Sequence, residues 1–292
     1  MDNNINTIHW DSRLIFTLTI LFSTIVNISA QDTLSNGNAL NIPTKKYGIS
    51  IGNSYEFNGI RINFADNNVK RINGLNITFW VNNYIAWEHK DQAYSSTING
   101  ISIGVLPTGG TLQPINLGLF RVAAEKKLNG LSISGLNVRS NGDINGIAIG
   151  GLAIKSESVL SGISIAGFGI GGMNGINGLT LGGVGISSSK SNINGIAGAI
   201  GFIHSRGKIN GLGISCIYIT ANTFNGLAIA SITKTKKTNG LSVALYNKTE
   251  ELHGVLLGLW NYAKNNPKGL KKLPLLNFHF GRNRTEENKE SH

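Results

Sequence analysis

Apolar side chains recur along this chain with a period of about sixteen residues, and each recurrence is marked by Asn-Gly or a close variant. From Gly130 onward, successive marker glycines are 16, 16, 16, 17, 16, 15, 14 and 14 residues apart. A degenerate copy at residues 115–119 and a partial copy at residues 48–52 extend the series. A fixed period of this length indicates a repeat architecture. The marker glycines are Gly59, Gly74, Gly100, Gly130, Gly146, Gly162, Gly178, Gly195, Gly211, Gly226, Gly240 and Gly254.

Each unit has apolar residues at fixed distances from its marker glycine, which we number position 0. An apolar residue stands at −2, Asn at −1, and Ile, Leu or Val at +1 and +3. Small residues follow at +4 and +5, apolar residues at +6 and +8, and a polar stretch closes the unit. Glycine adopts the backbone angles of a corner, so a bend at the small pair can turn both apolar pairs inward. The pattern therefore predicts an all-β, single-domain β-solenoid of about sixteen-residue coils, with +1, +3, +6 and +8 in its interior.

The phase of the Asn-Gly motif also favours coils that stack in parallel. Equivalent residues of stacked coils lie about 4.8 Å apart, and Asn side chains at that spacing form an amide ladder. We predict that the Asn residues at position −1 form such a structural ladder. They are Asn58, Asn73, Asn99, Asn129, Asn145, Asn177, Asn194, Asn210, Asn225 and Asn239.

An outer-membrane antiparallel β-barrel is the alternative fold. Asn-Gly is also a strong hairpin signal, and Leu276, Phe278 and Phe280 alternate as in a barrel strand. Against this alternative, polar stretches such as residues 155–158 interrupt the intervals that its strands would fill. Both folds stay open at the level of the sequence.

The first thirty residues predict export. Residues 14–28 are apolar but shorter than the roughly 20 residues of a membrane-spanning helix, and the small residues Ser29 and Ala30 follow. This arrangement is typical of a secretory signal peptide that is cleaved after Ala30. The predicted divisions are a signal peptide at 1–30, an N-terminal lead-in segment at 31–47, a tandem-repeat β domain at 48–263, a C-terminal capping strand at 264–280 and a polar tail at 281–292.

The amino-acid composition excludes several classes of protein and of functional site. The 292 residues include 38 Gly, 5 Pro and 1 Cys, and 14% are charged, which excludes collagen, a charged disordered chain and an internal disulfide framework. Between Ile144 and Thr249 the only acidic residue is Glu157, so this region lacks the paired carboxylates of a glycoside hydrolase. The six histidines have no metal-ligand spacing, and we expect Cys216 to be a buried, inert thiol. We predict no enzymatic activity, no catalytic residue, no cofactor and no metal site.

A formal net charge of +11, from 26 Lys and Arg against 15 Asp and Glu, points to anionic partners. For an exported protein these are anionic envelope components or glycans. Nucleic acid is not predicted, because basic residues are not interleaved with stacking aromatic residues. Membrane association and the oligomeric state stay open. We expect large rings such as Trp80 and Trp260 to fill or cap the ends of the core; the alternative is a glycan-stacking or membrane-interface patch.

The C-terminal end of the repeat region carries a family resemblance. Residues 254–264 read GVLLGLWNYAK, and residues 273–280 read LPLLNFHF. Together with the preceding units they resemble the leptospiral-type surface repeat proteins of Gram-negative bacteria, which have tandem N-G-[IL]-x-[IL]-G units and a closing L-P-x-x-N-x-x-F segment. The resemblance implies export to the cell surface or outer membrane, with the periplasm as the alternative location, and it implies no enzymatic activity.

These observations lead to two functional hypotheses. The first is an exported, non-enzymatic surface repeat protein with a structural, adhesive or envelope-interacting role. The second is an integral outer-membrane β-barrel that forms a small pore, and it depends on the barrel alternative for the fold.

Overall fold

The computed structural model describes residues 37–81 and 96–281, so the predicted signal peptide and almost all of the polar tail lie outside the described residues. Within those ranges the regular structure is β-strand, except for one 3₁₀ turn at Lys268–Leu270. The strands are β1 Ala39–Pro43, β2 Tyr47–Gly52, β3 Glu56–Asp66, β4 Arg71–Val81, β5 Thr97–Gly104, β6 Thr108–Gly118, β7 Arg121–Ser134, β8 Asn137–Ser140, β9 Asp143–Gly150, β10 Ala153–Ser156, β11 Val159–Ala166, β12 Gly169–Gly172, β13 Gly175–Gly182, β14 Gly185–Ser188, β15 Ile193–Ala199, β16 Phe202–Ser215, β17 Tyr218–Ala263 and β18 Lys272–His279.

The strands stack coil on coil, in parallel and in register. Gly146 of β9 pairs with Gly162 of β11, which pairs with Gly178 of β13. We name this stack wall A; it comprises the residues from −3 to +4 around each marker glycine. The residues from +7 to +10, including the short strands β8, β10, β12 and β14, form a second parallel stack, wall B.

This topology decides between the two folds that the sequence left open. Pairing between neighbouring coils is parallel from β2 to β17, whereas a hairpin-built barrel would pair successive strands antiparallel. The chain is therefore a β-solenoid of about sixteen-residue coils, as predicted, and the barrel alternative is wrong. The partial copy at residues 48–52 and the degenerate copy at residues 115–119 are both confirmed as rungs of wall A.

Glycine occupies position 0 in all described rungs but one, and successive rungs of wall A approach closely there. At Gly178 the backbone φ is +114°, and an added Cβ would lie 2.1 Å from the carbonyl oxygen of Gly162. The same geometry repeats along the wall, so the marker glycines set the spacing of the rungs. Pro114 takes position 0 in the degenerate copy, where it pairs with Gly100.

The interior contains a different set of positions from the set that the sequence predicted. Side chains at −2 and +8 are buried, as Ile144 and Ile154 show. Side chains at +1, +3 and +6 lie on the outer surface instead; Ile147 at +1 is 41% exposed and Leu152 at +6 is 50% exposed. The prediction of an interior location was thus right for +8 and wrong for +1, +3 and +6.

Strand alternation explains the error. Wall A stays extended from −2 to +4, so a residue at +1 or +3 must face away from the residue at −2. The inward side chains after the glycine are those at +2 and +4, and these are small or polar in the central coils; Ala148, Ser164 and Thr180 are all buried. A narrow space between the walls is enough for these residues and for the larger side chains at −2 and +8.

An antiparallel strand covers each end of the stack. β1 pairs antiparallel with β2, and β18 pairs antiparallel with the last rung of β17. Terminal coils need such cover because their core and backbone edges would otherwise meet water. Trp80 and Trp260 do not provide it: they are 49% and 59% exposed, so the expectation that they fill or cap the core was wrong.

Candidate interaction surface

The amide ladder runs along the outside of wall A, one residue before the marker glycines. The side-chain amide of Asn194 donates to Asn177 Oδ1 at 2.7 Å, and that of Asn210 donates to Asn194 Oδ1 at 2.6 Å. Asn225 and Asn239 continue the series at 2.5 and 2.6 Å. Every predicted ladder residue from Asn58 to Asn239 lies at position −1 of this stack.

Among the described rungs from Asn58 to Asn239, two depart from the Asn pattern. Gln113 replaces Asn in the degenerate copy; it donates to Asn99 Oδ1 at 2.7 Å and accepts from Asn129 at 3.0 Å. Sequence reasoning missed Gln113, although its carboxamide and its 16-residue distance from Asn129 were a usable signal. Ser161 replaces Asn in another rung, where its hydroxyl accepts from Asn177 at 3.4 Å.

The ladder is structural in its chemistry. From Asn177 to Asn225 each amide donates to the preceding coil and accepts from the next, so the stack itself uses one donor and one acceptor of each group. Serines inside the solenoid have a similar role at the polar corner. The hydroxyls of Ser156 and Ser205 donate to the carbonyls of Gly142 and Ser191, both at 2.8 Å.

The outer surface beside the ladder is a continuous apolar strip. We define the apolar strip as positions +1 and +3 of wall A together with the apolar residues at +5 and +6 of the adjoining corner. Its wall residues are Ile, Leu or Val in every rung except at Gly198, and none is charged. The wall residues are Ile49, Ile51, Ile60, Ile62, Leu75, Ile77, Ile101, Ile103, Ile115, Leu117, Leu131, Ile133, Ile147, Ile149, Ile163, Ile165, Leu179, Leu181, Ile196, Gly198, Leu212, Ile214, Leu227, Ile229, Leu241, Val243, Val255 and Leu257.

The corner residues of the strip are larger and more exposed than those of the wall. They include aliphatic and aromatic side chains from coils along the whole stack. Those that are clearly exposed are Phe64, Phe79, Trp80, Leu119, Phe120, Leu136, Leu152, Phe168, Val184, Ile200, Ile217, Leu245, Tyr246, Leu259 and Trp260.

Both end strands continue the two wall rows of the strip. On β1, Ile42 pairs with Ile49 and is itself exposed. On β18, Phe278 pairs with Val255, and Leu276 pairs with Leu257. The apolar rows therefore extend across the end strands, although these strands lie outside the repeat.

Beyond the first coils, charged residues lie on wall B, at the polar corner and at position −3, the edge of wall A next to that corner. Glu157 accepts hydrogen bonds from Lys155 at 2.7 Å and from Arg139 at 3.4 Å. The hydrogen bond from Lys155, assisted by the nearby positive charges, holds the pKa of Glu157 below its usual value. Near the C-terminal end, Glu251 bonds to Lys237 at 3.0 Å and to His253 at 2.6 Å.

One charged residue is fully buried, and sequence reasoning missed it. Arg61 occupies the inward position +2 of its coil, where its guanidinium donates to Asp66 at 2.5 Å, Asn76 at 2.7 Å and Asn53 at 2.9 Å. This cluster lies in the first coils and replaces the small residues of the central interior. The hydrogen bonds offset the cost of burying the charge.

The described residues form no candidate metal site. In residues 37–81 and 96–281, no group of three or more His, Cys, Asp and Glu side chains could hold a metal ion. Cys216 is exposed at position +5, beside the apolar corner, so the expectation of a buried thiol was wrong. Across the described part of the chain, no helix is long and apolar enough to cross a membrane.

No protein-family model, curated protein or solved structure matches this chain. The role of its surface therefore has to follow from the residues exposed there. The apolar strip is the most extensive feature of that surface that the fold itself does not require.

Proposed function

We propose that this chain is an exported, non-enzymatic surface repeat protein with an envelope-interacting role, and that it acts through the apolar strip. The uninterrupted strip is the observation that carries this proposal. Rungs stack at about 4.8 Å and residues advance by about 3.3 Å, so the strip is roughly 60 Å long and 15 Å wide. Its area of about 900 Å² exceeds the roughly 300–600 Å² of the largest apolar patch on a typical soluble monomer.

Three further features support the proposal. The apolar segment before Ala30 is typical of a signal peptide. The repeat units and the segment LPLLNFHF resemble the leptospiral-type surface repeat proteins. Most of the described polar residues form hydrogen bonds within the ladder or at the corners. An extended binding face therefore suits this architecture better than a catalytic pocket does.

The test is fractionation of a Gram-negative host that expresses the full chain. We expect the chain to be processed after Ala30, as mass spectrometry of the recovered protein can determine, and to sediment with the envelope. The variant Ile163→Lys/Ile165→Lys places two charges on the strip and should release the protein into the soluble periplasmic fraction. Recovery of the unprocessed chain in the cytoplasm would contradict the proposal.

A matched control adds the same two charges to the opposite wall. Gly171 and Ser187 face outward on wall B, where Lys155 already occupies the equivalent position in a neighbouring coil. Gly171→Lys/Ser187→Lys should therefore stay with the envelope. Equal release of both variants would show that added charge, rather than loss of the strip, causes the effect.

A further inference from the structure

We propose that the apolar strip inserts into the hydrocarbon boundary of a lipid bilayer, with the solenoid lying along the membrane surface. This inference rests on the proposed envelope role and names its partner. It follows from the composition of the strip, its shape and the placement of charge around it.

The fold does not require outward apolar residues. Wall B has the same parallel stacking, yet its outward residues include Asn137, Lys155, Ser187 and Thr220. The end strands are stronger evidence than wall B that the fold does not require these apolar residues, because a capping strand normally presents a polar outer face. Ile42 and Phe278 are instead 52% and 58% exposed, in line with the wall rows. The apolar character is thus maintained beyond the repeat unit that could have imposed it.

The shape of the strip favours a fluid partner over a second copy of the chain. Its most exposed side chains lie on the convex corner: Phe64 is 74%, Ile200 66% and Leu119 62% exposed. A flat sheet packed against wall A would cover the rows at +1 and +3 and leave this corner in water. Acyl chains adapt to a convex edge and can cover the wall and the corner together. The area of the strip would also suffice for a dimer, which needs about 800 Å² per partner, so area does not distinguish a second copy from lipid. The exposed convex corner does, and it favours lipid.

The placement of charge indicates hydrocarbon rather than headgroups as the main contact. Positions +1 and +3 carry no charge in any described rung, although the chain has a net charge of +11. Lys190 and Arg206 lie at the polar corner, and Lys208 lies at position −3, the edge of wall A next to that corner. Trp260 and Tyr246 lie at the border of the strip, and such amphipathic rings favour the membrane–water interface. Binding should therefore persist on uncharged bilayers and at high salt.

The experiment uses the exported form of the full chain, purified from the expressing host, and vesicles of pure phosphatidylcholine. We expect the protein to float with the vesicles in a density gradient, in both low and high salt. Ile163→Lys/Ile165→Lys should weaken partitioning at least tenfold, whereas Gly171→Lys/Ser187→Lys should change it less than twofold. Equal loss in both variants, or binding only to anionic vesicles at low salt, would overturn the proposal.

Cys216 supplies a second readout, since it is the only cysteine of the chain and is exposed on the corner. An environment-sensitive fluorophore on Cys216 should shift its emission to the blue when phosphatidylcholine vesicles are added. The matched control carries the fluorophore at Ser187→Cys in a Cys216→Ser background and should not shift. An unshifted Cys216 probe would exclude insertion of the corner.

Two outcomes separate this proposal from the broader one. If Ile163→Lys/Ile165→Lys is released from the envelope fraction but the wild-type protein does not bind vesicles, the envelope role is supported and lipid is not the partner. If the lipid-free protein is a dimer that Ile163→Lys/Ile165→Lys dissociates, and no vesicle binding occurs, the strip is an interface between two copies. Light scattering coupled to size-exclusion chromatography measures that oligomeric state.

Discussion

Replacing one marker glycine should disrupt the solenoid far more than replacing a glycine that faces outward on wall B. Gly178→Ala places a methyl group at a backbone φ of +114°, 2.1 Å from the carbonyl oxygen of Gly162. That oxygen belongs to the adjacent rung and cannot rotate away as a side chain can. The methyl group must therefore push two rungs apart or distort the strand.

The cost has two parts. A non-glycine residue held in an unfavourable backbone region costs about 1–3 kcal/mol, and overpacking in a close-packed structure costs about 1–3 kcal/mol more. We expect Gly178→Ala to lower the free energy of unfolding by about 2–6 kcal/mol. This is a large share of the roughly 5–15 kcal/mol that stabilises a typical native protein.

Gly171→Ala is the matched control. An added Cβ at Gly171 of wall B would have Ser187 O, 4.0 Å away, as its nearest neighbour, and its φ lies outside the left-handed region. The substitution should be neutral or stabilise by about 0.4–1 kcal/mol, because alanine restricts the unfolded chain.

The assay is guanidinium unfolding followed by circular dichroism, with midpoints compared if the repeat array does not unfold in one step. Gly178→Ala should unfold at a clearly lower denaturant concentration than the wild type, and Gly171→Ala at the same or a higher one. Equal midpoints for the two variants would refute the close contact between rungs at position 0.

Three other substitutions test the ladder, the interior and an ion pair. Asn194→Ala removes one donated and one accepted amide bond and should cost about 2 kcal/mol, whereas Ala at the exposed Asn174 should cost less than about 0.5 kcal/mol; equal losses would contradict the ladder. Leu160→Ala in the interior should lower the free energy of unfolding by about 2–5 kcal/mol, and Ile163→Ala on the strip by about 1 kcal/mol or less. A larger loss for Ile163→Ala than for Leu160→Ala would show that position +1 lies in the interior after all. Glu157→Gln should cost about 0.5 kcal/mol at neutral pH. Because the folded state lowers the pKa of Glu157, this difference is present above the unfolded value of about 4.3 and should disappear as the pH falls through the folded pKa; a difference that persists in acid would exclude the ion pair.

The sequence was sufficient for the architecture because its signals were periodic. The spacing of the marker glycines predicted the coil length, and the phase of the Asn residues predicted parallel stacking. Both depend only on identical units being superimposed. Gln113 and Ser161 were harder to place, since a single altered residue gives no periodic signal and only the register assigns it to a rung.

The features that the sequence did not predict depend on contacts within a coil and between neighbouring coils. Arg61 is buried because Asp66, Asn76 and Asn53 surround it, and these partners come from three coils. The exposure of Cys216 depends on how sharply the corner bends. Neither property follows from the local sequence, in which Arg would ordinarily be placed outside and Cys inside.

The orientation of the apolar rows could have been deduced from the unit itself. The residue at −2 is three positions before +1, so an extended strand must place the two on opposite faces. Interpreting both as interior assumed that apolar residues occur only where a core buries them. Once alternation is given priority, one of the two apolar sets must face outward. The end strands indicate which set: Ile42 and Phe278 continue the +1 row with no further coil beyond them among the described residues, and their exposed apolar side chains favour the proposed external contact.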